Sequence, residues 1–189
     1  VNTPAHAVIN WLILGRRDRP ELAVPIVAGS VLPDLSMILF YAYHKALGTQ
    51  ESMIWGVHYH QRQWQAFFDV FNSLPIILIG LAVAWRLRAM RWCALFAAMG
   101  LHVLLDLPLH NDDAHRHFFP LSDRRFHSPV SYWDPAHYGD IVSACEIVAV
   151  AVGGVVLWRR YQSMSLRLMC AALALSYALH WVYVFAVWA

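Results

Sequence analysis

The feature that most limits what this chain can fold into is the distribution of its apolar residues. They gather into long runs instead of the short alternating stretches of half-buried strands. Such runs cover residues 22–43, 66–87, 92–109, 140–158 and 166–188. Each is close to the roughly 20 helical residues that cross a hydrocarbon core of about 30 Å. A further apolar stretch, residues 5–14, follows Thr3-Pro4, read as an N-cap and first-turn pair, and is ended by "GRRDRPE". It is too short to span, so a half-span, re-entrant or interfacial helix is expected there. The sequence therefore predicts an all-α integral membrane helical bundle of five to six segments, the first one short, forming a single domain over residues 1–189. Composition agrees: 59% of the residues are hydrophobic and only 14% are charged, against about 25% in soluble domains.

The net charge of +2 is spread over several connectors, and no block of like charge points to nucleic acid or an acidic partner. The expected surroundings are the lipid bilayer. No positively charged region precedes the first apolar run and no small-residue cleavage site follows it, so that segment is expected to be retained. Cys93, Cys145 and Cys170 stand singly in apolar runs and read as packing residues. Arginines mark every second connector, at Arg16, Arg17 and Arg19, at Arg86, Arg88 and Arg91, and at Arg159, Arg160 and Arg167. Positive-inside bias assigns these connectors to the cytoplasm and makes a loop at about residues 111–139 exterior. Trp11, Trp92, Trp158 and Trp188, near helix ends, are expected to anchor at the interfaces.

Against this apolar background, ionisable residues inside the runs carry information. Each costs about 2.5 to 3.5 kcal/mol to insert, so each must face inward and find a partner. In "GLHVLLDLPLH", His102, Asp106 and His110 are four residues apart and share a helical stripe. At 1.5 Å per residue, His6, Asp34 and His102 lie roughly 15 to 18 Å from the arginine-bearing ends of their segments, with Asp69, Asn72 and Asp106 on the outer side of that level. Imidazoles and carboxylates converging at one depth suit a divalent ion. A His–Asp pair satisfying itself across helices, or His102 and His180 as axial ligands of a pigment or haem, are the alternatives.

Four stretches give the chain a resemblance. "TPAHAVINWLILG" carries His6, "AGSVLPDLSMI" carries Pro33-Asp34, "GLHVLLDLPLH" carries His102 and Asp106, and "FFPLSDRRF" follows. Together these resemble the membrane-bound metal-dependent hydrolases, small integral membrane proteins of bacteria and archaea. The resemblance implies a metal site within the helical bundle, opening to the periplasmic side of a bacterial inner membrane. It also carries a departure. Where the family has His-Arg-Gly-x-Thr-His-Ser, this chain has "FFDVFNS", so that Phe67 and Asn72 stand at the two histidine positions.

The expected ligands are His6, Asp34, Asn72, His102, Asp106 and His110, holding one or two divalent ions, with Asp69 or Glu146 as general base. Imidazole ligands favour zinc, whereas oxygen ligands from Asp69 and Asn72 shift preference to magnesium, manganese or calcium. The reaction expected is hydrolysis of a phosphate or carboxylic ester in an amphiphilic substrate. The alternative is a non-catalytic accessory subunit of a membrane protein complex that binds a pigment, lipid or partner. His115 and His117, two apart, share an ion only if the backbone there is extended. In "YWDPAHYGD", Asp134 and His137 read as part of a turn.

Overall fold

The computed structural model describes residues 1–187. These form α1 (Thr3–Leu14), α2 (Ala23–Ala46), a single turn α3 (Glu51–Met53), α4 (Arg62–Phe71), α5 (Leu74–Arg86), α6 (Met90–Asp106), α7 (Gly139–Arg160) and α8 (Met164–Val187). No strand occurs among the described residues. Five segments are long and apolar enough to cross a membrane, with α4 and α5 counted as one. The chain is an integral membrane helical bundle with a short first helix.

Helix α1, at 12 residues, is about 18 Å long. It sits at the centre of the bundle, in contact with α2, α6, α7 and α8. Ala5, His6, Ala7, Asn10 and Trp11 on it are fully buried. A tie to α6 comes from Asn10, whose amide donates to the carbonyl of Ala98 at 3.0 Å. Small residues set the helix spacings. A Cβ on Gly29 of α2 would lie 2.1 Å from the Leu95 carbonyl oxygen of α6, and one on Gly153 of α7 would lie 2.9 Å from Val8 of α1.

Two details depart from the sequence reading. The N-cap of α1 is Asn2, and Thr3 is the first helical residue, which frees the Thr3 hydroxyl for a contact on α2. The third span begins at Arg62 instead of residue 66 and breaks at Asn72 and Ser73. Pro75 has no N–H to donate to Phe71 and would clash with its carbonyl. Ser73 instead caps α5, accepting from Ile76 N–H at 3.2 Å. Pro25, in the first turn of α2, is harmless there, whereas Pro33 lies inside the same helix and removes a bond to Gly29. Trp188 lies outside the described residues.

The arginine-bearing connectors share one end of the bundle. Arg160 donates to the carbonyls of Leu12 and Gly15, and Tyr161 to that of Arg16. At the opposite end the long segment after α6 folds back over the helices. Leu74 N–H donates to the His117 carbonyl at 2.8 Å, Ser128 N–H to the His110 carbonyl and Tyr132 N–H to the Leu109 carbonyl, both at 2.9 Å. The first of these satisfies a backbone donor that the start of α5 leaves free.

Candidate metal centre

The central feature is the Asp106 carboxylate, at the last position of α6 and 3% exposed. Its Oδ1 accepts from His6 Nε2 at 2.8 Å and lies 3.0 Å from the Val1 nitrogen. Its Oδ2 is 3.1 Å from His102 Nε2 and 3.5 Å from His110 Nε2. His102 Nε2 is also 3.5 Å from Asp34 Oδ1 on α2. Ligand atoms of His6, His102 and Asp106 all lie within 4.8 Å of one another. The two imidazoles are stacked, with ring centres 3.6 Å apart.

The orientation of His102 decides what this cluster can do. Its Nδ1 donates to the Ser30 carbonyl at 2.8 Å, in the turn of α2 that precedes Pro33. A neutral ring held this way presents its lone pair at Nε2. That nitrogen is buried, makes no hydrogen bond, and faces two carboxylates. A lone pair aimed at anionic oxygens calls for positive charge between them, either a proton or a cation. An imidazole tied through one nitrogen to a backbone carbonyl is also the usual posture of a metal-ligating histidine. The donor set therefore fits a divalent ion. Asp34 sits at the edge of the cluster, with 27% of its side chain exposed, and its Oδ2 accepts from the Thr3 hydroxyl at 2.6 Å.

The other expected site residues lie elsewhere or are committed. Glu146 accepts from the backbone N–H and side-chain amide of Asn2, at 2.9 and 2.6 Å, and from Tyr177 at 3.0 Å. It thus satisfies a free donor at the N-terminus of α1, and its oxygens are occupied. Asp69 is wholly buried and receives two bonds from Arg116, from Nε at 2.5 Å and from the backbone N–H at 2.9 Å. That pairing anchors the folded-back segment; it does not place Asp69 in the His6–His102–Asp106 group. Asn72 uses its amide on the carbonyls of Phe68 (3.1 Å) and Pro33 (3.4 Å), tying the α4–α5 break to α2. Asp134 caps a short turn through Ala136 N–H and pairs with His137. His180 packs its ring edge against Trp181 on α8.

Beyond Asp106 the cluster continues outward. His110, His115 and His117 are 7%, 7% and 3% exposed, and residues 114–116 have no helical structure. Burial pulls the His110 imidazolium down, but Asp106 and Asp113 outweigh it and hold its pKa up at about 9. Burial, reinforced by His110 and His117, pushes that of His115 down to about 4. His117 is also lowered by burial, and Asp113 is held below the usual carboxylate range by His110 and His115 against its own burial.

Sequence reading did not anticipate Thr3, Ser30, Asn2, Tyr177 or Arg116 as partners. A backbone carbonyl has no sequence signature, and each of the others pairs with a residue at least 31 positions away. Compared with protein families, curated proteins and solved structures, the chain matches none.

Proposed function

We propose that the chain is a membrane-embedded metal-dependent hydrolase acting on a phosphate or carboxylic ester of an amphiphilic substrate. The observation that carries this reading is His102, with Nδ1 fixed on the Ser30 carbonyl and Nε2 unbonded between Asp106 and Asp34. His6, His102 and Asp106 would hold the ion. When bound, a divalent ion supplies Lewis-acid polarisation of the ester oxygen and lowers the pKa of water. Zinc suits the two imidazoles.

The chain's own residues supply the rest. Asp34, partly exposed and steadied by Thr3, is the carboxylate of the cluster placed to accept a proton from an attacking water. The fully buried His6 and His102 exclude bulk water from the opposite side. An ester group beside a bilayer-embedded bundle reaches such a site from the lipid phase, which favours an amphiphilic substrate. We further propose that the arginine-bearing end faces the cytoplasm and the site the periplasm.

Metal analysis of the detergent-purified protein, together with hydrolysis of generic phosphate and carboxylic esters with and without chelator, tests this. Bound metal and chelator-sensitive turnover are expected. His102→Ala should lower both by more than the roughly 10- to 100-fold typical of losing an outer-shell partner. Absence of both metal and turnover in the wild type would leave His102 as a protonated structural residue and favour a non-catalytic accessory subunit.

A further inference from the structure

Helices α7 and α8 are joined by a short turn and leave a groove between them that shares no residue with the metal centre. It holds a cavity of about 610 Å³, within the roughly 300 to 1,000 Å³ of sites that take small molecules. Along α7 it runs from Ile147 to Arg159, about 18 Å at 1.5 Å per residue. That is close to the depth of one leaflet, half of a hydrocarbon core of about 30 Å.

Small residues keep the groove open. Ala151 and Gly154 line it from α7, Ala171 and Ala174 from α8, and a Cβ on Gly154 would meet nothing within 4 Å. The Cys170 thiol donates to the Gly154 carbonyl at 3.5 Å and closes the floor. Val150, Cys170 and Tyr177 are buried, whereas Ile147 and Val155 at the rim are exposed, so the groove opens to the outside of the bundle. The Tyr177 hydroxyl is engaged by Glu146, which leaves a mainly hydrocarbon surface as far as Trp158.

The end of the groove differs in kind. Trp158 and Arg159 lie there, at the arginine-bearing end of the bundle, and this hairpin carries two further arginines that are already engaged. Arg160 donates to the Leu12 and Gly15 carbonyls, while Arg167 donates to the Tyr161 carbonyl and the Gln162 side chain with its guanidinium over the Trp158 ring. Arg159 is exposed; its carbonyl accepts from Gln162, but its guanidinium has no partner among the described residues. No Asp or Glu follows Glu146 in the sequence.

An unpaired guanidinium beside an interfacial tryptophan, at the end of an apolar slot one leaflet deep, matches an amphiphile with an anionic head. Guanidinium pairs with phosphate oxygens two at a time, and basic side chains at a membrane surface select net negative heads. We propose that the α7–α8 groove binds one anionic phospholipid, with an acyl chain lying along Gly154 and the phosphate on Arg159. A second copy of the chain fits less well. A two-fold interface about the bilayer normal would set the arginine ends of both copies together, with no acidic residue on either helix beyond Glu146 to offset them. The site does not depend on the hydrolase reading.

The purified full chain in detergent, given equal amounts of phosphatidylglycerol and phosphatidylcholine with the same acyl chains and read by native mass spectrometry, tests this. One phosphatidylglycerol per chain should be retained in preference to phosphatidylcholine. Arg159→Gln, at an exposed side chain, should lower that retention about fivefold, the size expected for one basic residue near a membrane surface. Arg91→Gln, on another connector at the same end, should not. Gly154→Leu fills the slot and should remove the bound lipid altogether. Equal retention of the two lipids by the wild type, or a preference that survives Arg159→Gln, would overturn the proposal. A dimer that Gly154→Leu dissociates would assign the groove to a second copy and overturn it as well. The wild type and Arg159→Gln decide the matter even if Gly154→Leu does not fold.

Discussion

Helix α1 has 12 residues and α8 has 24, yet the shorter helix is the more deeply embedded. α1 is enclosed by four others and carries His6 and Asn10 at 0% exposure. α8 turns Leu168, Leu175, Leu179, Val182 and Phe185 outward, and of its polar groups Tyr177 reaches inward to Glu146. The long helices form a wall whose outer surface suits lipid. The element too short to cross the bilayer brings His6 to the buried cluster that α6 and α2 complete, because a half-span enclosed by full spans brings polar side chains to mid-depth without exposing them to hydrocarbon. The comparison also explains the position of Glu146. A half-span has a helix N-terminus buried inside the bundle, and that terminus needs an acceptor.

The same contrast separates Asp69 from Asp106. Both are buried carboxylates, but Asp69 is matched by one arginine and Asp106 by several imidazoles. Asp69→Ala is expected to give the largest loss of stability, about 3 kcal/mol. That is the lower end for removing one partner of a buried pair, because the exposed Asp123 still holds Arg116. Denaturation in detergent and limited proteolysis of the segment between α6 and α7 would measure it. The ion proposed at His6, His102 and Asp106 should remain bound. Loss of that ion in the variant would mean that Asp69 belongs to the metal centre and that the two carboxylates do not differ as described.

Acid and base should act on the two loop histidines in opposite ways. The pKa of His115, at about 4 in the fold, lies below the ordinary 6.5, so its contribution is intact above about pH 6.5 and is lost as pH falls toward 4. That of His110, at about 9, lies above 6.5, so its contribution is intact below about 6.5 and is lost as pH rises through 9. In chelated protein the melting temperature should therefore be highest near pH 6 to 7 and fall on both sides. His115→Gln should flatten the acid limb alone. A wild-type profile without an acid limb would show that His115 is not buried as a neutral ring.

The membrane spans were legible in the sequence because length and hydropathy suffice to define them, and their ends agree with the structure to within a few residues in most cases. The break at Asn72 and Ser73 was less so. Pro75 marked it, but the surrounding apolar run reads as continuous. In the site, the pairing of His102 with Asp106 was visible because a helix converts an interval of four into one face, whereas the helical stripe expected to include His110 stops at Asp106: a 3-10 turn over Leu107–Leu109 follows and His110 is extended. The roles of Asp69 and Glu146 were not, since their partners Arg116 and Asn2 lie 47 and 144 positions away. Depth placed Asp69 near the cluster, but depth does not tell which helix faces a residue across the bundle. The loop histidines needed still more: their burial depends on how a 32-residue connection between Asp106 and Gly139 folds back.

The difference between inner contacts and outer wall is tested most finely by two glycines. Gly29→Ala places a Cβ about 2.1 Å from the Leu95 carbonyl oxygen, and backbone on α6 cannot yield as a flexible side chain would. Overpacking of this kind costs about 1 to 3 kcal/mol. Because α2 carries Asp34 and the Ser30 carbonyl while α6 carries His102 and Asp106, pushing the two helices apart should weaken metal binding as well. Gly154 on α7 has open space where its Cβ would be, so Gly154→Ala has no clash to create. A helical alanine is preferred over glycine by about 0.5 to 1 kcal/mol, and the melting temperature should hold or rise slightly with metal content unchanged. Equal damage from both substitutions would show that the α7 surface near Gly154 packs against something else, and the division between a functional interior and a lipid-facing wall would then fail at that helix.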